Sequence, residues 1–172
     1  MKFLPLSLLL PLSLGGCLES SPPRVAPPLP LVSSQRPPSP LGDRVIRVAQ
    51  SWLGTPYRRG SENKGPDGGV DCSHLVHSVY REAGLDYPYV DSHAFPPPGY
   101  FVKLPDNAQG EEGDVVLFAG HMGILLSKEL VISAQGSPSK PGKVQVGSDD
   151  WFGKKLGVFR WAPLAMRNTS GF

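Results

Sequence analysis

The stretch Val70-Asp71-Cys72-Ser73-His74-Leu75-Val76-His77-Ser78-Val79-Tyr80-Arg81-Glu82-Ala83-Gly84 decides how the rest of the chain is read. Cys72, Leu75, Val76, Val79, Tyr80 and Ala83 fall on one helical stripe, Asp71 is an N-cap residue, and Gly84 is a C-terminal stop. The pattern predicts a buried helix whose first turn carries a thiol on its inward face. Such a thiol is favoured as thiolate by the positive end of the helix and by an imidazole that takes its proton.

Upstream, Val45, Val48, Ala49, Trp52 and Leu53 form a second helical face, with Asp43 as its expected cap and Gly54 as its stop. Residues 54–70 are rich in Gly, Pro and charge and read as a loop. Downstream, prolines exclude long regular elements from residues 85–112. The period then changes. Residues 114–118, 121–126 and 130–134 are short Val/Ile/Leu runs separated by Ala119-Gly120 and Ser127-Lys128-Glu129, as in antiparallel hairpins. Further strands are expected at residues 143–146 and 157–161. Helices first and strands later indicate an α+β domain, with N-terminal helices packed on an antiparallel sheet.

His74, His77, His93 and His121 are the imidazoles available to Cys72. Two and five residues beyond the cysteine correspond to helix rotations of about 200° and 140°, so His74 and His77 point away from the thiol and read as surface residues. A metal site through Cys72, His74 and His77 fails on the same geometry and lacks a sensible fourth ligand. No metal or other cofactor is expected. His121 opens a strand directly after a glycine turn, and Gly123, on the same face, leaves room beside the imidazole. A helix nucleophile with a base on a facing strand is an arrangement used by cysteine hydrolases.

The N-terminus has its own logic. Lys2 and the Leu-rich run from Phe3 to Leu14 form a signal peptide over residues 1–16, too short for a permanent span. Leu14-Gly15-Gly16-Cys17 resembles the bacterial lipobox, which implies lipidation at Cys17 and an anchor in the membrane. Residues 17–41 hold this cysteine and a Pro- and Ser-rich linker, extended at about 3.1 Å per residue and semi-rigid. The folded domain is expected over residues 42–163, with a loose tail at residues 164–172. Leu18 stands where an aspartate would resemble an inner-membrane retention signal, so the resemblance implies the periplasmic face of the outer membrane.

The 172 residues suffice for one domain of ordinary size. A net charge of +2 gives no nucleic-acid footprint. Cys17 and Cys72, the only cysteines, make no disulfide framework.

Gly54-Thr55-Pro56-Tyr57, Asp71-Cys72-Ser73-His74-Leu75-Val76, Gly113-Asp114-Val115-Val116-Leu117-Phe118 and His121-Met122-Gly123-Ile124 occur in that order. Together they resemble the NlpC family of bacterial cell-wall cysteine peptidases, over roughly residues 43–162. The resemblance implies a reduced papain-like fold, Cys72 as nucleophile, His121 as general base, and Tyr57 as the hydroxyl at the oxyanion site. Asp71 and Ser73, flanking the nucleophile, are the expected substrate-binding residues. The implied partners are peptidoglycan stem peptides, cut between D-glutamate and a diamino acid by a monomeric enzyme. An N-acetylmuramoyl-L-alanine amidase on the same fold, or a non-catalytic wall-binding lipoprotein, are the alternatives.

Three positions depart from the family pattern. The polar residue that orients the base falls on Ser133 or, two residues on and on the same face, Gln135, whose amide is the better acceptor on sequence grounds. His74 replaces the usual glycine after Cys-Ser. Residues 60–70 exceed the usual connection. Tyr87 to Tyr100 is an aromatic and proline cluster that either lines a cleft wall or covers the core, and Arg58 and Arg59 read as solvated charge.

Overall fold

In a computed structural model of the chain, residues 39–137 and 140–162 are described. The expected signal peptide, Cys17, almost all of the expected linker and the expected tail lie outside them. The first helix, α1, spans Pro40–Gln50. Its cap is Ser39, whose hydroxyl accepts the Gly42 N–H at 2.8 Å. Asp43, the expected cap, lies within the first turn. Proline at N1 is the reason: its fixed φ suits the first helical residue and its missing N–H costs nothing there, so the helix begins earlier than its apolar periodicity.

The segment after α1 contains a short hairpin, β1 (Glu62–Asn63) with β2 (Gly69–Val70), in what the sequence presents as loop. It delivers the chain to α2, Cys72–Glu82. Asp71 caps α2 as expected, its carboxylate accepting the His74 N–H at 2.9 Å. Leu75, Val76 and Val79 are fully buried, and burial of such side chains stabilises the fold by about 1.5–3 kcal/mol each.

The remaining strands are β3 (Phe101–Lys103), β4 (Val115–Phe118), β5 (His121–Leu125), β6 (Leu130–Ser137), β7 (Lys140–Ser148) and β8 (Lys155–Trp161). They form one antiparallel sheet in the order β3-β8-β4-β5-β6-β7. The Ala119-Gly120 turn pairs Phe118 with His121, and Gly120 takes φ +72°, the left-handed region that glycine enters without steric cost. A 3-10 turn, Asp149–Phe152, joins β7 to β8 and was not signalled by periodicity.

Strand alternation divides the core. Leu117, Met122, Ile124, Ile132 and Ala134 pack beneath the helices, whereas Val116, Phe118, Leu125, Val131, Phe152 and Val158 form a cluster on the other face. The α+β architecture, helices on an antiparallel sheet, is therefore as expected. Tyr80 pins α2 to the sheet, its phenol donating to the Gly113 carbonyl at 2.6 Å. Asp114, just before β4, forms a buried forked pair with Arg160 of β8, at 2.8 Å from Nη2 and 3.0 Å from Nε. Among the described residues no helix is long and apolar enough to cross a membrane.

Candidate active site

The first turn of α2 sets Cys72 against the start of β5, where the Met122 N–H is directed at its sulfur. The Met122 carbonyl, one peptide further, accepts the Ser133 hydroxyl at 2.6 Å. Ser133 Oγ also lies 2.9 Å from His121 Nε2. Thiol, strand backbone, serine and imidazole thus form one linked set.

That set assigns a tautomer. A serine hydroxyl has one hydrogen, and here it is committed to the Met122 carbonyl. Towards His121 the oxygen can only accept, so Nε2 carries the ring proton and donates it. A neutral imidazole protonated at Nε2 has its lone pair at Nδ1. Nδ1 is therefore the ring nitrogen able to accept a proton.

Of the two residues expected as orienting partner, the structure brings Ser133 to the imidazole and not Gln135. Gln135 Oε1 is buried and without a hydrogen-bond partner. Counting along β6 named both residues; the choice depended on the strand-to-strand approach. A Cβ on Gly123 would come within 2.5 Å of Val131, 2.8 Å of the Ile132 carbonyl and 3.1 Å of Ser133 Cβ. The space at Gly123 therefore admits β6, and the short serine suffices because β6 is so near.

Burial dominates the electrostatics. It pushes the Cys72 thiol up to about 11, with Asp71 adding to the rise and the N–H groups of Met122, Ser73 and Cys72 opposing it. It pushes His121 down to about 4. Burial therefore works against the thiolate that the helix terminus favours, and against the charged imidazole.

Tyr57 reaches the site on a segment held to two strands. Its N–H donates to the Gly142 carbonyl at 2.7 Å, and it bridges Val70 in parallel register. Its ring lies on Gly136, where a Cβ would meet ring atoms at 2.8–2.9 Å. Burial, then charge at Cys72 and Asp71, raises the Tyr57 phenol, with Arg59 opposing, so the hydroxyl stays protonated and able to donate.

Asp71 and Ser73 are both buried. Asp71 accepts the Gly60 N–H at 2.7 Å, the Ser73 hydroxyl at 2.9 Å and the His74 N–H at 2.9 Å, while His74 Nδ1 lies 3.0 Å away. These bonds hold the carboxyl of Asp71 below its ordinary value, although burial, the largest single influence, opposes them. Tyr89 joins the group, its hydroxyl 3.0 Å from Ser73 Oγ and its ring stacked on His74 at 4.2 Å. In the sequence Tyr89 is marked only by its place in an aromatic cluster.

His77, expected at the surface, is buried, with Nε2 3.0 Å from the Tyr87 carbonyl and Tyr87 and Tyr89 against its ring. The segment after α2 folds back over that flank, which helix rotation alone cannot show. Among the described residues no group of three or more His, Cys, Asp or Glu is placed to hold a metal ion.

Comparison with known proteins agrees with this geometry. Probable endopeptidases of Mycobacterium tuberculosis and Mycobacterium bovis are 36% identical over 124 residues, which is 68% of this chain and 30% of theirs. The chain thus spans less than a third of the length of these relatives. The peptidoglycan hydrolase RipB of M. tuberculosis superposes with a TM-score of 0.56 at 28% identity, over 70% of this chain and 64% of that one. An NlpC/P60 family protein from Bacillus cereus shares the fold, with a TM-score of 0.58 at 23% identity over 73% of this chain and 42% of its own. The NlpC/P60 family model matches residues 54–155, from the Tyr57 segment through both Cys72 and His121 to the 3-10 turn, and the chain belongs to that family.

Proposed function

We propose that this chain is a peptidoglycan hydrolase, a cysteine endopeptidase that cuts stem-peptide bonds from a lipid anchor. The observation that carries the reading is the hydrogen-bond relay Met122–Ser133–His121, which leaves Nδ1 of the imidazole as its proton-accepting nitrogen, while the N–H of the same Met122 favours the Cys72 thiolate. In the proposed reaction the Cys72 sulfur attacks the scissile carbonyl carbon as its proton passes to His121 Nδ1. The oxyanion is met by the Tyr57 hydroxyl and the Cys72 N–H, one of the free donors of the first helical turn. The imidazolium then protonates the leaving amine. Water, deprotonated by His121, cleaves the thioester and restores the thiol.

The bond between D-glutamate and the diamino acid is the proposed target. The network of Asp71, Ser73, His74 and Tyr89 supplies polar groups beside the thiol for the stem peptide. The lipobox-like Leu14-Gly15-Gly16-Cys17 and the proline-rich stretch after it support lipidation at Cys17 and placement in the cell envelope, at the periplasmic face of the outer membrane. Loss of the protein from the membrane fraction in Cys17→Ser is the expected result; retention there would remove the anchor.

The test of the activity is incubation of the full chain and of Cys72→Ala with purified peptidoglycan, with released fragments identified by mass. Cysteine-dependent release of stem-peptide fragments is expected. Fragments cut at the lactyl–alanine amide would show an amidase instead, and binding without release would show a wall-binding protein.

A further inference from the structure

We propose that Phe152, in the 3-10 turn between β7 and β8, is a positioning residue that fixes the plane of the His121 imidazole. The proposal rests on His121 being the general base. Phe152 is buried and stacks on the imidazole with centroids 5.4 Å apart and planes 16° from parallel. Phe118 meets both rings, at 6.2 Å from His121 and 5.7 Å from Phe152. The hydrogen bond from Nε2 to Ser133 fixes one point of the imidazole and leaves its plane free to turn about that point. The terminal torsion of histidine is broad and does not fix the plane by itself. A parallel ring against its face does, and the plane decides where the Nδ1 lone pair aims.

The turn is seated for this. Trp151 packs on Phe152 at 5.0 Å, and its own ring occupies the space over Gly147 of β7, where a Cβ would come within 2.1 Å of it and 3.1 Å of the Phe152 ring. One face of Trp151 stays in solvent while Phe152 is driven inward. The groups facing the imidazole are Phe118 from β4, Ser133 from β6 and Phe152 from the turn. Burial alone depresses the imidazole. Phe152 therefore also keeps water from the base.

The test compares Phe152→Leu, which keeps an apolar side chain but removes the flat face, with Phe152→Tyr, which restores the ring. Carbon-13 histidine labelling of the full chain follows the titration of His121, assigned by its loss in His121→Gln. Hydrolysis of soluble muropeptides gives kcat and KM. In Phe152→Leu the His121 midpoint is expected to rise by about one unit or more as water reaches the ring. In the same variant kcat falls about tenfold to a hundredfold at similar KM, the scale of a small misplacement. Phe152→Tyr returns both.

An unmoved midpoint and unchanged kcat in Phe152→Leu overturn the proposal, as does an equal loss of kcat in the Leu and Tyr variants. Full hydrolysis by His121→Gln would sink the base assignment itself. Its inactivity beside an unaffected Phe152→Leu would sink this proposal alone.

Discussion

Acidification gives a sharp test of the buried imidazole. In the unfolded chain His121 takes a proton near 6.5, whereas in the folded chain it does so only near 4. Between those values the unfolded state binds the extra proton, so stability falls as pH falls through this window. At about 1.4 kcal/mol per unit, the depression comes to about 3 kcal/mol, all of it present at pH 7 and lost by pH 4. Asp114, raised by burial, shifts in the opposite sense and must be separated. His121→Gln does that, because every other group is common to both proteins. Urea unfolding, followed by the fluorescence of the three tryptophans, should give wild-type and variant stability curves that converge or cross by about 3 kcal/mol between pH 7 and pH 4. Curves that stay parallel would show that His121 is not buried and neutral, and the proton-transfer account of the attack would fall with it.

Three further outcomes follow from the same geometry. Alkylation of Cys72 by iodoacetamide should keep accelerating above pH 9 as the thiol approaches its value of about 11; a rate already level at pH 7 would show a resting thiolate. Asp114→Ala removes the buried partner of the Arg160 guanidinium, which keeps Glu111 at 3.1 Å, and should cost about 3 kcal/mol in unfolding experiments; a loss under about 1 kcal/mol would contradict the buried pair. Gly136→Ala drives a methyl into the Tyr57 ring and should lower hydrolysis by up to about a hundredfold, the value of one oxyanion donor. Unchanged turnover in that variant would separate Tyr57 from the reaction.

Much of the fold was legible because the deciding interactions are local. The Asp71 cap, the stripe of α2 and the Ala119-Gly120 hairpin each lie within a few residues, and the structure has them where the sequence puts them. Cys72 and His121, the proposed nucleophile and base, stand out in the sequence because one opens a helix and the other a strand. The partner of the base does not. Ser133 wins over Gln135 through the approach of β6 at Gly123 and a carbonyl on a neighbouring strand, and neither is visible along one strand. Phe152 was silent for the same reason: its neighbours His121 and Phe118 are some thirty residues away. The start of α1 was misread because Ser39-Pro40 caps it ahead of any apolar repeat.

Tyr57 is fastened to β7 at Gly142, and His121 stands on β5, so both are carried by the same sheet. Cys72 is carried by α2, whose fastening includes the Tyr80 phenol at Gly113. Mechanically the site is two bodies. A strain that bends the sheet carries base and hydroxyl along together, whereas a small slip of the helix along the sheet displaces the sulfur from both at once. The Tyr80 phenol, one of the contacts that hold α2 against such a slip, therefore helps to keep the sulfur in register with the sheet.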